Sequence, residues 1–132
     1  MSKLEEQFVP YQQSLDMKDL EFDEPCFAVY YNTKEFKTYT GHWVKFNSEF
    51  DGKGIISAPL WQQAFDWFRE NHNLHSYIDE LKLTTGELVY DYVIVSDDID
   101  EEDDDGRKWK TVKEAQLACL VDLINIVKTK KL

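Results

Sequence analysis

Residues 77–95 have the sequence YIDELKLTTGELVYDYVIV. Two runs that are typical of strands, Tyr77 to Leu83 and Leu88 to Val95, the second rich in β-branched and aromatic residues, lie on either side of Thr84-Thr85-Gly86-Glu87. Such runs favour strands, and a glycine in a short polar link accepts the positive φ that a tight turn needs. The sequence therefore predicts a β-hairpin, and with it antiparallel strand pairing.

An amphipathic helix is predicted just before this hairpin. Ser57-Ala58-Pro59 is a helix start signal, with Ser57 or Ala58 as the N-cap and Pro59 in the first turn. Asn73 suits a left-handed residue at the other end. The apolar side of the helix, which we assign to the core, carries Leu60, Trp61, Ala64, Phe65, Trp67 and Phe68.

The elements further out complete the pattern. Pro10 opens a short helix that runs to about Leu20, and Cys26–Tyr31 is typical of a strand whose hairpin partner lies within Phe36–Phe46. The polar residues and glycines of 47–54 indicate a loop. Thr111-x-x-Glu114 is a capping box for a last helix, from Val112 to about Lys128. Its apolar arc of roughly 200° is wider than one packed face requires, so the helix is either sandwiched in the core or meets another subunit.

This order of elements, α-β-β-α-β-β-α, predicts an α+β domain with one antiparallel sheet and helices packed on one face. The 132 residues fit a single domain, residues 1–132. Within it we expect residues 1–8 to be a flexible tail and residues 97–106 to be an acidic loop. No apolar leader or membrane-length apolar run is present in the sequence, which predicts a soluble, intracellular protein.

Charge is concentrated at one place in the chain. Asp97 to Asp105 contains eight acids in nine residues, and without them the formal net charge changes from -11 to -3. Acids this dense repel one another, so the run is predicted to be solvated. The overall acidity opposes binding to nucleic-acid phosphates, and any electrostatic partner must act locally.

Three interpretations of the acidic run stay open. It is a solvated connection, or a mimic of phosphate spacing that occupies a basic nucleic-acid-binding surface, or a loose divalent-cation site. Glu101, Asp103 and Asp105, followed by Gly106, match the first half of an EF-hand loop, but Val112 stands where the bidentate Glu belongs. The strong form of the calcium hypothesis therefore fails on the sequence.

Catalytic and cofactor motifs are absent from the sequence. His72 and His75 have an HxxH spacing without a third ligand nearby, and His42 is far away. Cys26 and Cys119 fall on apolar stripes and are predicted to be small buried hydrophobes. We therefore assign no catalytic residue, no cofactor and no metal ligand beyond the loose site described above.

Aromatic residues alternate along the predicted strands, so neighbours such as Tyr30 and Tyr31 face opposite sides of the sheet. Rings on a second, open face would be partly exposed packing, a protein interface that includes self-association, or a platform for a planar ligand. The residues predicted to interact are Asp97, Asp98, Asp100, Glu101, Glu102, Asp103, Asp104, Asp105, Tyr30, Tyr90 and Tyr92.

Four blocks carry a resemblance to a known group of proteins. They are Phe8–Tyr11, Phe22–Phe27, Ala58–Glu70 and Ala115–Leu120. With these blocks the chain resembles the small uncharacterised proteins common in phages, prophages and mobile elements of Bacteroidetes. The resemblance runs from Phe8 to about Lys128 and implies an accessory gene product in the cytoplasm of a bacterial host, without implying a mechanism.

The chain departs from that pattern at three places. Pro10 stands where such proteins often have a capping Thr, Glu21 where they often have a helix-ending Gly, and the acidic run where a variable hairpin loop is expected. We expect a non-enzymatic accessory protein that binds a host or phage macromolecule, a protein rather than nucleic acid or membrane, through the acidic loop and an exposed sheet face. The alternative is a protein that binds or sequesters a nucleotide-like small molecule.

Overall fold

The computed structural model of the chain describes residues 3–39, 46–50, 52–96, 100–102 and 108–130. The chain divides into two compact units, Met1–Ala64 and Phe65–Leu132. The number of domains stays a prediction. Within the described ranges, no helix is both long and apolar enough to cross a membrane.

The first unit contains helix α1 (Tyr11–Asp19) and a three-stranded antiparallel sheet. Its strands are β1 (Ala28–Tyr31), β2 (Phe36–Thr38) and β3 (Ile55–Ser57), with β1 in the centre. The core under the sheet is built from Phe8, Ala28, Tyr30, Ile56 and Ala58. Apolar side chains from alternate positions of the strands thus meet on one face, as the pleat requires.

The beginning of the chain is not the flexible tail that the sequence predicted, at least from residue 3 onward. Residues Glu5–Gln7 form a turn of 3-10 helix, and Phe8 is buried in the core. The indole N–H of Trp61 donates to the carbonyl oxygen of Glu6 at 3.0 Å. Burying a phenylalanine ring is worth about 2 kcal/mol, which offsets part of the entropy of ordering these residues.

Helix α1 confirms the prediction for residues 10–20, with Pro10 as the N-cap and Leu20 as the C-cap. Glu21 follows with φ of 73°, in the left-handed region. This is the position where the resemblance implies a helix-ending glycine. A side chain with a Cβ is strained there, so Glu21 ends the helix at a cost in free energy.

The sequence missed β3 and placed the next helix too early. Helix α2 spans Trp61–His72, so Ser57 and Ala58 are not its cap and Pro59 precedes it. The amide of Ala58 donates to the carbonyl of Ala28 at 2.9 Å, which uses these residues in the sheet. The predicted loop at 47–54 contains a short 3-10 helix, Asn47–Phe50. The predicted hairpin strand survives as Phe36–Thr38, and residues 40–45 lie outside the described part.

Helix α2 ends as predicted. Asn73 has φ of 55°, in the left-handed region that ends helices, and the amide of the next residue, Leu74, donates to the carbonyl of Phe68 at 3.2 Å. Trp67 and Phe68 are buried, which confirms their place in the core, whereas Leu60 is 38% exposed.

The second unit has a three-stranded antiparallel sheet in the order β4-β5-β6 and the long helix α3 (Val112–Lys130). Strands β4 (His75–Lys82) and β5 (Leu88–Val95) form the predicted hairpin, and Gly86 takes φ of 91° in its turn. The buried residues of α3 are Ala115, Cys119, Leu120, Leu123, Ile124 and Val127. Both predictions, the hairpin and the last helix, are confirmed.

The acidic run is only partly described, and the described part differs from the predicted loop. Residues Asp100–Glu102 form strand β6, which pairs with β5 so that Asp100 lies opposite Val95 and Glu102 opposite Val93. Residues 97–99 and 103–107 lie outside the described part. The α+β class and the approximate order of elements are confirmed, with two three-stranded sheets in place of the single predicted sheet.

Candidate functional site

The sheet of the second unit has two different faces, because successive side chains of a strand point to opposite sides. Tyr92 lies on the face that packs against α3, since its hydroxyl hydrogen-bonds to Asp122 on that helix. We call the opposite side the outer face. Its members on β4 and β5, paired by the register, are His75, Tyr77, Asp79, Leu81, Val89, Asp91, Val93 and Val95.

The most exposed ring of this sheet lies on the outer face. Tyr77 is 58% exposed and pairs with the half-buried Val93, and Val95 beside it is 41% exposed. A large ring next to aliphatic side chains presents apolar area with a polar hydroxyl tip. These three residues, which we call the Tyr77 patch, combine aromatic and aliphatic surface at the end of the sheet where β6 is paired.

Carboxylates lie next to the Tyr77 patch. Asp79 and Asp91 are direct register partners on β4 and β5, and like charges directly opposite one another destabilise a strand pair. The Lys108 ammonium lies 3.1 Å from Asp91 Oδ2 and offsets that repulsion. Among the residues that the structure describes, no side chain pairs with the exposed carboxylate of Asp79. On the outer face, Lys108 therefore compensates the charge of Asp91, whereas no described side chain compensates the charge of Asp79.

The segment after the acidic run returns to the same strand that the run leaves. Trp109 and Tyr90 exchange two backbone hydrogen bonds of 2.8 Å. The indole of Trp109 packs on the ring of Tyr92, with a centroid separation of 5.4 Å. The acidic run therefore begins after the last residue of β5, Val95, and ends where Lys108 and Trp109 are fixed to β5.

Two of the three rings predicted to interact are buried. Tyr30 is 1% exposed in the core of the first unit, and Tyr92 is 4% exposed beneath α3. Neither has a free ring face for a ligand or a partner, because each belongs to the packed side of its own sheet. Tyr90 is half-buried on the α3 side of β5, where desolvation and then the carboxylate of Glu80 raise its pKa.

The predicted acidic residues fall into two groups. Asp100, Glu101 and Glu102 lie in β6, while Asp97, Asp98, Asp103, Asp104 and Asp105 are outside the described residues. The loose cation site of Glu101, Asp103 and Asp105 therefore lies mostly outside them too. In the described ranges, no group of three or more His, Cys, Asp or Glu side chains is arranged to hold a metal ion.

The described histidines contact neighbouring side chains, and both cysteines are buried. The ring of His72 packs edge-on against Trp67 at 4.8 Å, and His75 Nε2 lies 3.1 Å from Asn73 Oδ1; His42 is outside the described residues. Burial raises the pKa of the Cys26 thiol to about 12, and the nearby Glu24 adds to the shift. Cys26 and Cys119 are both buried, which confirms that prediction.

Sequence patterns did not predict a role for Tyr77, for Asp79 or for the pair of Asp91 with Lys108. The strand alternation was readable from residues 77–95, but the side of the sheet that α3 covers was not. Tyr92 and Tyr77 are both strand tyrosines in sequence, and only the packing of α3 separates a buried ring from an exposed one.

Comparison with known proteins adds no relative. No protein-family model, no curated protein and no solved structure matches this chain.

Proposed function

We propose that this chain is a non-enzymatic accessory protein, of the phage type that its sequence resembles, which binds a host or phage protein in the bacterial cytoplasm. The binding surface is the outer face around the Tyr77 patch. One observation carries the proposal: a tyrosine ring 58% exposed, flanked by valines, on a sheet face that α3 does not cover.

The patch has the composition of an interface centre. Aromatic residues are enriched where protein interfaces are most buried, and truncating such an anchor typically costs 2 kcal/mol or more, on the order of a hot-spot residue. Val93 and Val95 supply aliphatic surface beside the ring, and Asp79 supplies a charged rim. Burial of the Tyr77 ring would supply the binding free energy, and the charge of Asp79 would orient the partner.

Charge favours a cationic partner. The chain has a formal net charge of -11, and β6, which is paired to the patch strand β5, is built from Asp100, Glu101 and Glu102. A negative surface accelerates the encounter with a positive one and disfavours acidic competitors. We therefore infer a basic surface on the partner.

The nucleotide-binding alternative has less support. The rings predicted to stack on a planar ligand include Tyr30 and Tyr92, and both are buried. A shallow depression of about 290 Å³ on α3 is lined by Asn125, Ile126, Thr129 and Lys130, none of which is aromatic.

A charge introduced at position 77 tests the proposal. The wild type, Tyr77→Glu and Val121→Glu would each be immobilised and exposed to host lysate, and captured proteins quantified by mass spectrometry. Val121 is 37% exposed on α3, so it is a matched apolar surface control in the same unit. We expect partners shared by the wild type and V121E to fall at least tenfold with Y77E, about the loss of one hot-spot side chain. Capture that is equal for all three would overturn the proposal.

A further inference from the structure

We propose that the outer edge of β4 accepts an extended segment of the partner protein, which adds a strand to the sheet and places a lysine or arginine on Asp79. This inference rests on the proposed function and names the way in which the partner binds.

The edge of β4 is long. The strand order is β4-β5-β6, and β4 spans the eight residues His75–Lys82. Within the described part of the chain, no strand pairs with the side of β4 that faces away from β5. Such an edge presents a row of backbone N–H and C=O groups, and strand addition by an extended peptide satisfies them.

The chain already uses this mode of binding on its other edge. Trp109 forms an isolated antiparallel bridge with Tyr90 on β5 through two backbone hydrogen bonds, and Lys108 directly precedes it. That pairing sets the Lys108 ammonium 3.1 Å from Asp91 Oδ2. A basic strand on this sheet therefore places its cation on an outer-face carboxylate.

Asp79 is the equivalent carboxylate at the β4 edge. It is the register partner of Asp91, on the same face, and it is exposed. The described residues provide it with no cation of their own. A lysine or arginine from an added strand would relieve the Asp79–Asp91 repulsion as Lys108 does from the other side.

Tyr77 makes the edge selective. It lies two residues before Asp79 on the same face, so a strand that places a cation on Asp79 places a neighbouring side chain over the ring. A cation near the face of a tyrosine is attracted by the electron-rich ring. The preferred segment is therefore extended and basic, with an apolar residue or a second basic residue two positions from the first.

Synthetic peptides test this mode without knowledge of the partner. The probe is acetyl-Thr-Val-Thr-Lys-Thr-Val-Thr-amide, compared with the same peptide carrying Gln in place of Lys. Two further peptides keep the Lys and carry N-methyl groups on alternate backbone amides, one peptide for each phase, so that in one of them the amides that would face β4 cannot donate ladder hydrogen bonds. Binding to the ¹⁵N-labelled full chain is followed by amide chemical shifts, and protection by hydrogen exchange of the β4 amides.

We expect the Lys peptide to bind up to about fivefold more tightly than the Gln peptide, since an exposed ion pair is worth up to about 1 kcal/mol. Asp79→Asn should abolish that difference, whereas Glu87→Gln, the same charge change in the hairpin turn, should keep it. One phase of N-methylation should abolish β4 protection.

Equal binding of the Lys and Gln peptides, or no protection of β4 amides by any peptide at millimolar concentration, would overturn the inference. Such a result together with lysate capture that still depends on Tyr77 would leave the proposed function standing. Loss of the Tyr77 dependence as well would overturn both.

Discussion

The hydroxyl of Tyr92 donates a hydrogen bond of 2.6 Å to Asp122 Oδ2, which ties the middle of β5 to α3. The Tyr92 ring is 4% exposed and packs on Trp109, so the ring is shielded from solvent. The bond lies on the side of the sheet that α3 covers, and the exposed Tyr77 lies on the opposite side.

Replacing Tyr92 with phenylalanine should lower the free energy of unfolding by about 1–3 kcal/mol, because hydrogen bonds to charged groups are among the stronger ones. Urea denaturation followed by far-UV circular dichroism measures the change. Asp122→Asn keeps an acceptor for the hydroxyl and should cost less. An unchanged midpoint for Y92F would contradict a structural role for this bond.

Glu21→Gly should stabilise the protein by about 0.5 kcal/mol. Glu21 has φ of 73°, and a left-handed residue with a Cβ costs about 1–2 kcal/mol. Glycine removes this strain, but it also raises the entropy of the unfolded chain, which reduces the net gain in stability. The urea midpoint should rise for E21G and not for Glu21→Ala, which retains the Cβ. A lower midpoint for E21G would show that the Glu21 side chain contributes a contact worth more than the strain.

Thr111→Ala should destabilise the protein by about 1 kcal/mol, the usual value of a helix N-cap. Thr111 Oγ1 accepts from the amide of Glu114 at 3.1 Å and donates to Glu114 Oε1 at 3.0 Å. Thr111→Ser keeps the hydroxyl and should stay within a few tenths of the wild type in the same denaturation experiment. Equal losses for A and S variants would mean that the methyl group, rather than the cap, is responsible.

Cys26 should make stability fall at alkaline pH. Its pKa is raised from 9.0 to about 12 by burial, so the folded state keeps a proton that the unfolded state releases. Below pH 9 this stabilising effect on the free energy of unfolding is fully present. Between pH 9 and 12 it is lost, and the free energy of unfolding falls by about 1 kcal/mol for each pH unit. The free energy of unfolding, measured from pH 8 to 11, should decline less steeply for Cys26→Ala. Parallel slopes would mean that the thiol ionises as easily in the folded protein.

Local signals predicted the elements whose stabilising contacts are close in sequence. The hairpin depends on Gly86, the end of α2 on Asn73, and the start of α3 on the capping box at Thr111. Each of these residues shapes the backbone within a few positions of itself. Sequence patterns of this kind record local geometry directly, which is why these parts of the fold were predicted.

The missed elements depend on distant partners. Ser57 donates its amide to Asn47 Oδ1 and pairs with Val29 across β1 and β3, so a residue typical of a helix cap lies in a strand. Strand β6 forms on β5 within a run whose charge density favours a solvated loop. The same limitation applied to the candidate site, because the choice between Tyr92 and Tyr77 depends on where α3 packs.

Site-specific photo-crosslinking shows whether the Tyr77 patch is the surface that contacts the partner. A benzoylphenylalanine residue would be placed at position 77 or, as the control, at position 121, and each full-length variant irradiated in bacterial host cells. We expect one or more discrete adducts from position 77, absent from position 121 and from unirradiated cells. No adduct from position 77, or the same adducts from both positions, would contradict contact through the Tyr77 patch.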